Sequence, residues 1–220
     1  MKWFTSDWHL GEDRIGINGK PNLFYRPFSS TEEQNLKILE QFLSSGFKDG
    51  DELFHLGDVV YDWKNGDYVN ASYVLRRLRK EYPNSKFFLI AGNYDIDKLD
   101  KLKQYFDYIW ENGGITHLHD NQFGYDYVKV YMNHYPISCK HNIIEYAEMM
   151  TNTGTAYGNH PISFALTGHI HGLWKVQEKM INVGVDAWHF KPVSEEEIMF
   201  CWNAMHRFYD ENVFPYKITL

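Results

Sequence analysis

The stretch Glu52-Leu53-Phe54-His55-Leu56-Gly57-Asp58-Val59-Val60, ELFHLGDVV, carries the reading on which the fold turns. Leu53, Phe54 and Leu56 read as a short buried strand and Gly57 ends the run, so Asp58 projects from a strand tip. Four more apolar runs stop at a residue able to bind metal. They are Trp3-Phe4-Thr5-Ser6 before Asp7 and His9, Phe87-Phe88-Leu89-Ile90-Ala91 before Gly92-Asn93, Val128-Lys129-Val130-Tyr131-Met132 before His134, and Phe164-Ala165-Leu166-Thr167 before Gly168-His169-Ile170-His171. Five strands ending in nitrogen and oxygen ligands describe one site at the carboxyl edge of a sheet, where open α/β sheets place their ligands. Asp58 is the candidate bridging residue.

Between the first two strands, residues Leu10 to Phe28 are rich in Gly, Asn and Pro, too polar for a core and long enough to lie over a site; they carry Arg14 and Arg26. Ser30 with Glu33 forms a capping box, and Leu36, Leu39 and Leu43 follow at helical spacing, which predicts a helix from about Thr31 to Ser44. A second crossover helix is predicted over Ala71 to Glu81, with Val74, Leu75 and Leu78 inward and the Arg76-Arg77-Arg79-Lys80 cluster on a solvated face. After AGNYD, Asp97 is expected to cap a short helix carrying Leu99, Leu102 and Phe106. The order β-α-β-α-β-α belongs to a layered α/β fold.

From Tyr108 the pattern changes to short strands near Ile109, Ile115 to Leu118 and Phe123 to Met132, which predicts a second, more antiparallel sheet and a two-sheet sandwich with helices outside. Asn142 to Met150 reads as helix, and Thr151 to Pro161 as a polar excursion, a lid or a substrate wall. Strands are expected around Trp174 to Gln177 and Met180 to Val183. A second capping box, Ser194 with Glu197, opens a helix that buries Ile198, Met199, Trp202 and Met205, and Tyr216 to Leu220 reads as an edge strand.

A chain of 220 residues, 44% hydrophobic and 17% aromatic, can bury a full core, and its length fits one large domain, residues 1–220, better than two small ones. The formal charge of -7 argues against a broad surface for gripping extended duplex nucleic acid. It leaves room for a small phosphorylated substrate at a local metal centre. Cys139 and Cys201 are too far apart for a CxxC site or a disulfide framework, which suits a reducing, cytoplasmic setting. The start, MKWFTSDWHLG, lacks the apolar stretch of a signal peptide and no apolar run has the length to cross a bilayer, so neither export nor a membrane partner is expected. The sequence carries no signal for an oligomeric state.

Two divalent metals held about 3.5–4 Å apart need a shared anionic ligand and a mixture of His and hard oxygen donors around each. The strand tips supply such a set. For one histidine alone, such as His9, the plainer reading is a hydrogen-bonded structural side chain, but seven ligand-type residues at five strand ends favour metal. The other histidines keep the plainer reading, His117 and His119 included. The tryptophans read as core, with Trp8 also placed between two ligands and able to touch substrate.

In order and spacing, D-x-H at Asp7 to His9, G-D at Gly57-Asp58, G-N-x-D at Gly92 to Asp95, a lone His134, and G-H-x-H at Gly168 to His171 resemble the calcineurin-like metallophosphoesterases. The ending INVGVDAWHFKPVS, Ile181 to Ser194, is similar to small bacterial and phage members. The resemblance implies a four-layer α/β/β/α sandwich of two mixed sheets flanked by helices. It implies two metal ions, Asp7, His9, Asp58 and His171 on one and Asp58, Asn93, His134 and His169 on the other, with a bridging hydroxide as nucleophile. Mn²⁺ is favoured, and Fe²⁺, Ni²⁺ or Zn²⁺ would be accepted by the same donors.

One departure from the family pattern bears on the chemistry. The family usually reads G-N-H-D, its His serving as general acid or transition-state stabiliser; here Tyr94 holds that place beside Asp95, so Asn93, Tyr94 and Asp95 form the candidate catalytic segment. A phenol with a pKa of about 10 is a poorer proton donor at pH 7 than an imidazole at about 6.5. Relatives lacking this His favour diesters, so a phosphodiesterase acting on a small substrate, with a nucleotide or cyclic nucleotide among the candidates, is expected. His141, His160 and His189 are alternative donors. Arg14 and Arg26 are candidate clamps for a phosphate oxygen, with surface or loop-anchoring roles as the plain alternative. Asp95, without its usual partner, has the alternative of bonding backbone or supporting a metal ligand. The rival functions are a phosphomonoesterase, such as a nucleotide or protein phosphatase, and a catalytically silent interaction scaffold of the same fold.

Overall fold

The strand tips converge on one edge because the strands that carry them run parallel to their neighbours. In the computed structural model, which describes residues 1–12, 26–63, 70–119, 127–136, 162–177 and 179–208 with side chains as far as Met205, the elements run in chain order. They are β1 (Lys2–Thr5), α1 (Thr31–Leu43), β2 (Glu52–His55), α2 (Ala71–Glu81), β3 (Lys86–Ile90), α3 (Leu99–Leu102), β4 (Tyr108–Trp110), β5 (Gly114–Leu118), β6 (Val128–Met132), β7 (Phe164–Thr167), β8 (Val176–Gln177), β9 (Met180–Asn182), β10 (Val193–Ser194) and α4 (Glu195–Phe208). Among the described residues they build two mixed sheets, ordered β10-β1-β2-β3-β4 and β5-β6-β7-β9-β8.

Along β1, Trp3 joins a core shared with α1 and α2, while Phe4 joins the core between the sheets; Leu53 and Phe54 of β2 divide in the same way, as do Phe87 and Phe88 of β3. Burial on both faces is why these strands read as continuous apolar runs rather than as alternating ones. In the second sheet, Val130, Phe164, Leu166 and Ile181 point to the inter-sheet core, and Tyr131, Ala165 and Met180 to its other face. α4 adds Ile198 and Met199 to the inter-sheet core.

Both predicted crossover helices form. Ser30 Oγ accepts from Glu33 N at 3.1 Å at the start of α1, but the Glu33 carboxylate turns to Ser29 N and Oγ, so the box closes one residue earlier than its pattern implies. At α4 the box is reciprocal: Glu197 N donates to Ser194 Oγ at 3.2 Å and Ser194 N to Glu197 Oε2 at 2.9 Å.

Two expectations are corrected. The strand near Ile109 belongs to the first sheet, where β4 runs parallel to β3 with Leu89 opposite Ile109; α3 and its flanking turns are the crossover that β4 follows. The second sheet is the more antiparallel of the two, as expected, with both edge pairings antiparallel while β6, β7 and β9 run parallel at its centre. Asp97 does not cap a helix: it lies within the 3₁₀ turn Ile96–Lys98, exposed, its carboxylate taken by Lys98 Nζ at 2.8 Å. The expected helix over Asn142 to Met150, the excursion Thr151 to Pro161 and the edge strand Tyr216 to Leu220 lie outside the described residues, as do Arg14, His141 and His160. No helix among the described residues is long and apolar enough to cross a membrane.

Candidate metal centre

Parallel strands with a common direction bring their carboxyl ends to one edge, and the tips of β1, β2, β3, β6 and β7 meet there. Two groups of donors form. In one, ligand atoms of Asp7, His9 and His171 all lie within 4.8 Å of one another; in the other, those of Asp58, His134 and His169 do. Asp58 Oδ2 is shared, 3.4 Å from His9 Nε2 and 3.4 Å from His134 Nε2. Its other oxygen accepts from Tyr94 N at 2.9 Å, which leaves Oδ2 facing both groups. Asn93 Oδ1 stands 3.1 Å from His134 Nε2, and His169 Nδ1 stands 3.2 Å from the same nitrogen.

The backbone is bent to achieve this. Asp7, His9, Asp58, His169 and His171 all have positive φ, between 48° and 70°. Each is an L residue in a left-handed conformation that costs roughly 1–2 kcal/mol, and such strain gathers where surrounding structure enforces it for function. The approach is also close: a Cβ at Gly92 would collide with Asp58 Oδ1 and come within 2.9 Å of His134 Cε1, and one at Gly168 would reach 2.8 Å from Asp7 Oδ2. Convergent imidazole, carboxylate and amide donors on strained, glycine-cleared turns fit a pair of divalent cations.

Electrostatics divides the groups. Burial, followed by the Arg26 charge, holds His9 well below its usual range, so its ring is neutral and its lone pair available. Burial raises Asp7. At Asp58 burial pushes the same way, but the hydrogen bond and charge of His134 outweigh it and hold the carboxyl at about 2; the reciprocal pull lifts His134, against its own burial, to about 9. Without a cation, His134 and Asp58 therefore share a proton that metal binding must displace.

Two residues of the candidate site take the plainer of the places expected for them. Asp95 is buried, and its carboxylate accepts from Asp58 N at 2.7 Å, Gly92 N at 2.9 Å and Val59 N at 3.0 Å, tying the tips of β2 and β3 together. Burial raises it to about 6. It supports the turn that presents Asp58 rather than facing the donor groups. Arg26 is also buried: Nε and Nη2 bind the two oxygens of Asp186 at 2.8 Å each, and the remaining donors bind Trp8 O at 2.9 Å and Asp7 O. This anchoring is the plain alternative to a phosphate clamp, and the fork is filled by protein oxygens. Tyr94 lies with its ring edge-to-face on His9, centroids 5.0 Å apart, and 5.5 Å from Tyr61. His189 is exposed on a turn at φ 56°.

The sequence reading overlooked Asp186, whose Oδ2 is 2.8 Å from His171 Nδ1, and Asn182, whose amide donates to His171 O and Trp174 O at 2.6 and 2.8 Å. The signal was present. Met180-Ile181-Asn182, then Gly184 and Asp186, repeats the strand, glycine, acid pattern that singled out Asp58. Gln34 was overlooked as well; from α1 it donates to His9 O at 3.0 Å.

The family model described as calcineurin-like phosphoesterase matches residues 3–215. Among solved structures, the Aquifex aeolicus protein of unknown function AQ665 is similar at a TM-score of 0.63 and 22% identity, covering 91% of this chain and 98% of its own. The Pseudomonas putida nuclease MPE is a more distant likeness, with a TM-score of 0.35, 17% identity, and 77% of this chain and 60% of that one covered. No curated protein matches the chain. With the family model spanning the strand tips that build both donor groups, this chain belongs to the calcineurin-like phosphoesterases.

Proposed function

We propose that the chain is a binuclear metal-dependent phosphodiesterase that hydrolyses a small phosphate diester. The observation that carries the reading is the position of Asp58 Oδ2, equidistant at 3.4 Å from Nε2 of His9 and of His134. Asp7, His9, Asp58 and His171 would hold one cation and Asp58, Asn93, His134 and His169 the other, with Mn²⁺ favoured. Two divalent cations bound there supply an activated water and a counter-charge for the phosphoryl group.

The residues around the donors support a diester over a monoester. Tyr94 stands against His9 where the family carries a histidine, so a leaving group departs without help from an imidazolium there. Two cations near the donor groups are engaged already: Arg26 is paired with Asp186, and Lys98 Nζ binds Tyr94 O at 2.6 Å and Asp97 at 2.8 Å. A singly charged diester needs less compensation than a dianionic monoester. The Tyr135 ring packs on His134 and His169, centroids 5.0 and 4.8 Å away, and with Tyr94 it lines the donors with aromatic surface. Nucleotides, cyclic nucleotides and short oligonucleotides are the substrate classes to try.

The test is Mn²⁺-dependent hydrolysis of bis-p-nitrophenyl phosphate beside p-nitrophenyl phosphate, with Asp58→Ala as the control. A metal-dependent preference for the diester that disappears in the control is the expected result. Preference for the monoester overturns the diesterase reading, and metal-loaded protein silent on both substrates moves the weight to the scaffold.

A further inference from the structure

We propose that Arg26 and Asp186 are positioning residues for the first donor group alone, setting the His171 ring and the turn that carries Asp7 and His9; the inference rests on the binuclear reading. The geometry is a continuous chain of contacts. His171 Nδ1 meets Asp186 Oδ2 at 2.8 Å, so the Asp186 carboxylate orients the ring through the nitrogen that faces away from the donors and makes Nε2 the ligating atom. Burial would raise the Asp186 carboxyl, but Arg26 and His171 outweigh that and hold it well below the usual carboxylate range, so it stays an acceptor.

Arg26 closes the chain. Its fork takes both Asp186 oxygens at 2.8 Å, and its remaining N–H groups reach the carbonyls of Trp8 and Asp7. The turn thus gripped is the strained one, with Asp7 at φ 59° and His9 at φ 48°. One guanidinium thereby couples the turn after β1 to the segment after β9, from which the first group draws Asp7 and His9 on one side and the support of His171 on the other. Only a planar, five-donor head can satisfy two carboxylate oxygens and two carbonyls together; a lysine cannot.

In the second group His169 N donates to the Asp7 carboxylate at 3.0 and 3.1 Å, but Asp58 and His134 are braced by other atoms. His134 Nδ1 bonds the carbonyl of Leu56 at 2.7 Å, and Asp95 holds the backbone of Asp58. Neither contact involves Arg26 or Asp186. Loss of the Arg26–Asp186 pair should therefore weaken one metal site and spare its neighbour, an asymmetry that a general fold brace would not produce.

The test is calorimetric titration of metal-free wild type, Asp186→Asn, Asp186→Ala and Arg26→Lys with Mn²⁺, alongside metal content per chain and the melting temperature of each metal-free protein. The expected result is two sites in the wild type. In the variants one site weakens by about 10- to 100-fold and the other keeps its affinity, in the order Asp, then Asn, then Ala at position 186; metal-free melting falls as well, because a buried charge loses its partner, but a loss of stability alone acts on both sites alike and does not split them. Equal weakening of both sites, or no weakening of either, overturns the inference and leaves the binuclear reading standing. A metal-free variant that melts well below the wild type while its two affinities stay equal assigns the pair to fold stability and also overturns it. A wild type that takes up no metal overturns the binuclear reading itself, and this inference with it.

Discussion

Tyr94 is where a single side chain bears most on the chemistry. Its backbone N–H orients Asp58, a function any residue but proline could serve, while its ring occupies the edge of His9. Only the ring distinguishes it from the family's histidine. Tyr94→His restores an imidazole near the leaving group, and a general acid contributes roughly 10²–10⁴-fold when well placed. The expected outcome is a rise of at least about 10-fold in kcat/KM for p-nitrophenyl phosphate, with metal content unchanged. An unaltered rate would show that this position does not face the leaving group. At the same scale, the candidate donors were legible because they follow short apolar runs that are local features of the chain, some closed by a glycine as at Gly57-Asp58. The support given by Asp95, Asp186 and Arg26 was not legible, since an acid that binds backbone and one that faces a metal are the same letter.

At the scale of elements, the first sheet is held by a row of rings. Phe4 stacks on Phe54 at 5.4 Å, Phe54 on Phe88 at 4.6 Å, and Phe88 on Tyr108 at 5.3 Å, following the register of β1, β2, β3 and β4. Phe54 stands in the middle, 6% exposed, and its strand delivers Asp58. Phe54→Ala should cost about 3–5 kcal/mol through lost burial and the cavity left behind. A urea midpoint lowered at constant slope is the check; a loss under about 1 kcal/mol would mean that the sheet closes over the gap and that Phe54 does not hold the row together. This row also explains why β4 was misassigned from sequence: three residues, Tyr108-Ile109-Trp110, carry no period that selects a sheet, and the ring-to-ring match with Phe88 does.

The whole molecule responds to pH through its buried histidines. His55, entirely buried against Trp8 and Phe106, is lowered by that burial from 6.5 to about 3, and His9 is lowered too. A folded-state pKa below the unfolded one means that the unfolded chain takes up a proton the folded chain refuses. Their contribution is intact above about pH 6.5 and is lost as pH falls below it, by about 2 kcal/mol for His55 at pH 5. Asp95, raised to about 6, offsets part of that loss. His134 has the opposite sign: raised to about 9, it stabilises fully below 6.5 and the benefit fades as pH climbs towards 9. Metal-free protein should therefore be most stable near pH 6.5, as read from urea unfolding between pH 5 and 9; a monotonic rise across that range would contradict it. Added Mn²⁺ should move the maximum upwards, because it displaces the His134 proton.

The sequence by itself determined the strand tips, the two crossover helices and the candidate donor residues, because strand and helix periods, glycine stops and caps are written within a few neighbouring positions. Only the tertiary structure decided that Asp58 Oδ2 lies between two histidines, that β4 joins the first sheet, and that Arg26 pairs with Asp186. The partners of that last pair are 160 residues apart in the chain. No local pattern encodes such a pairing; it exists because burying a guanidinium and a carboxylate together is tolerable only when each satisfies the other, and the fold is what buries them.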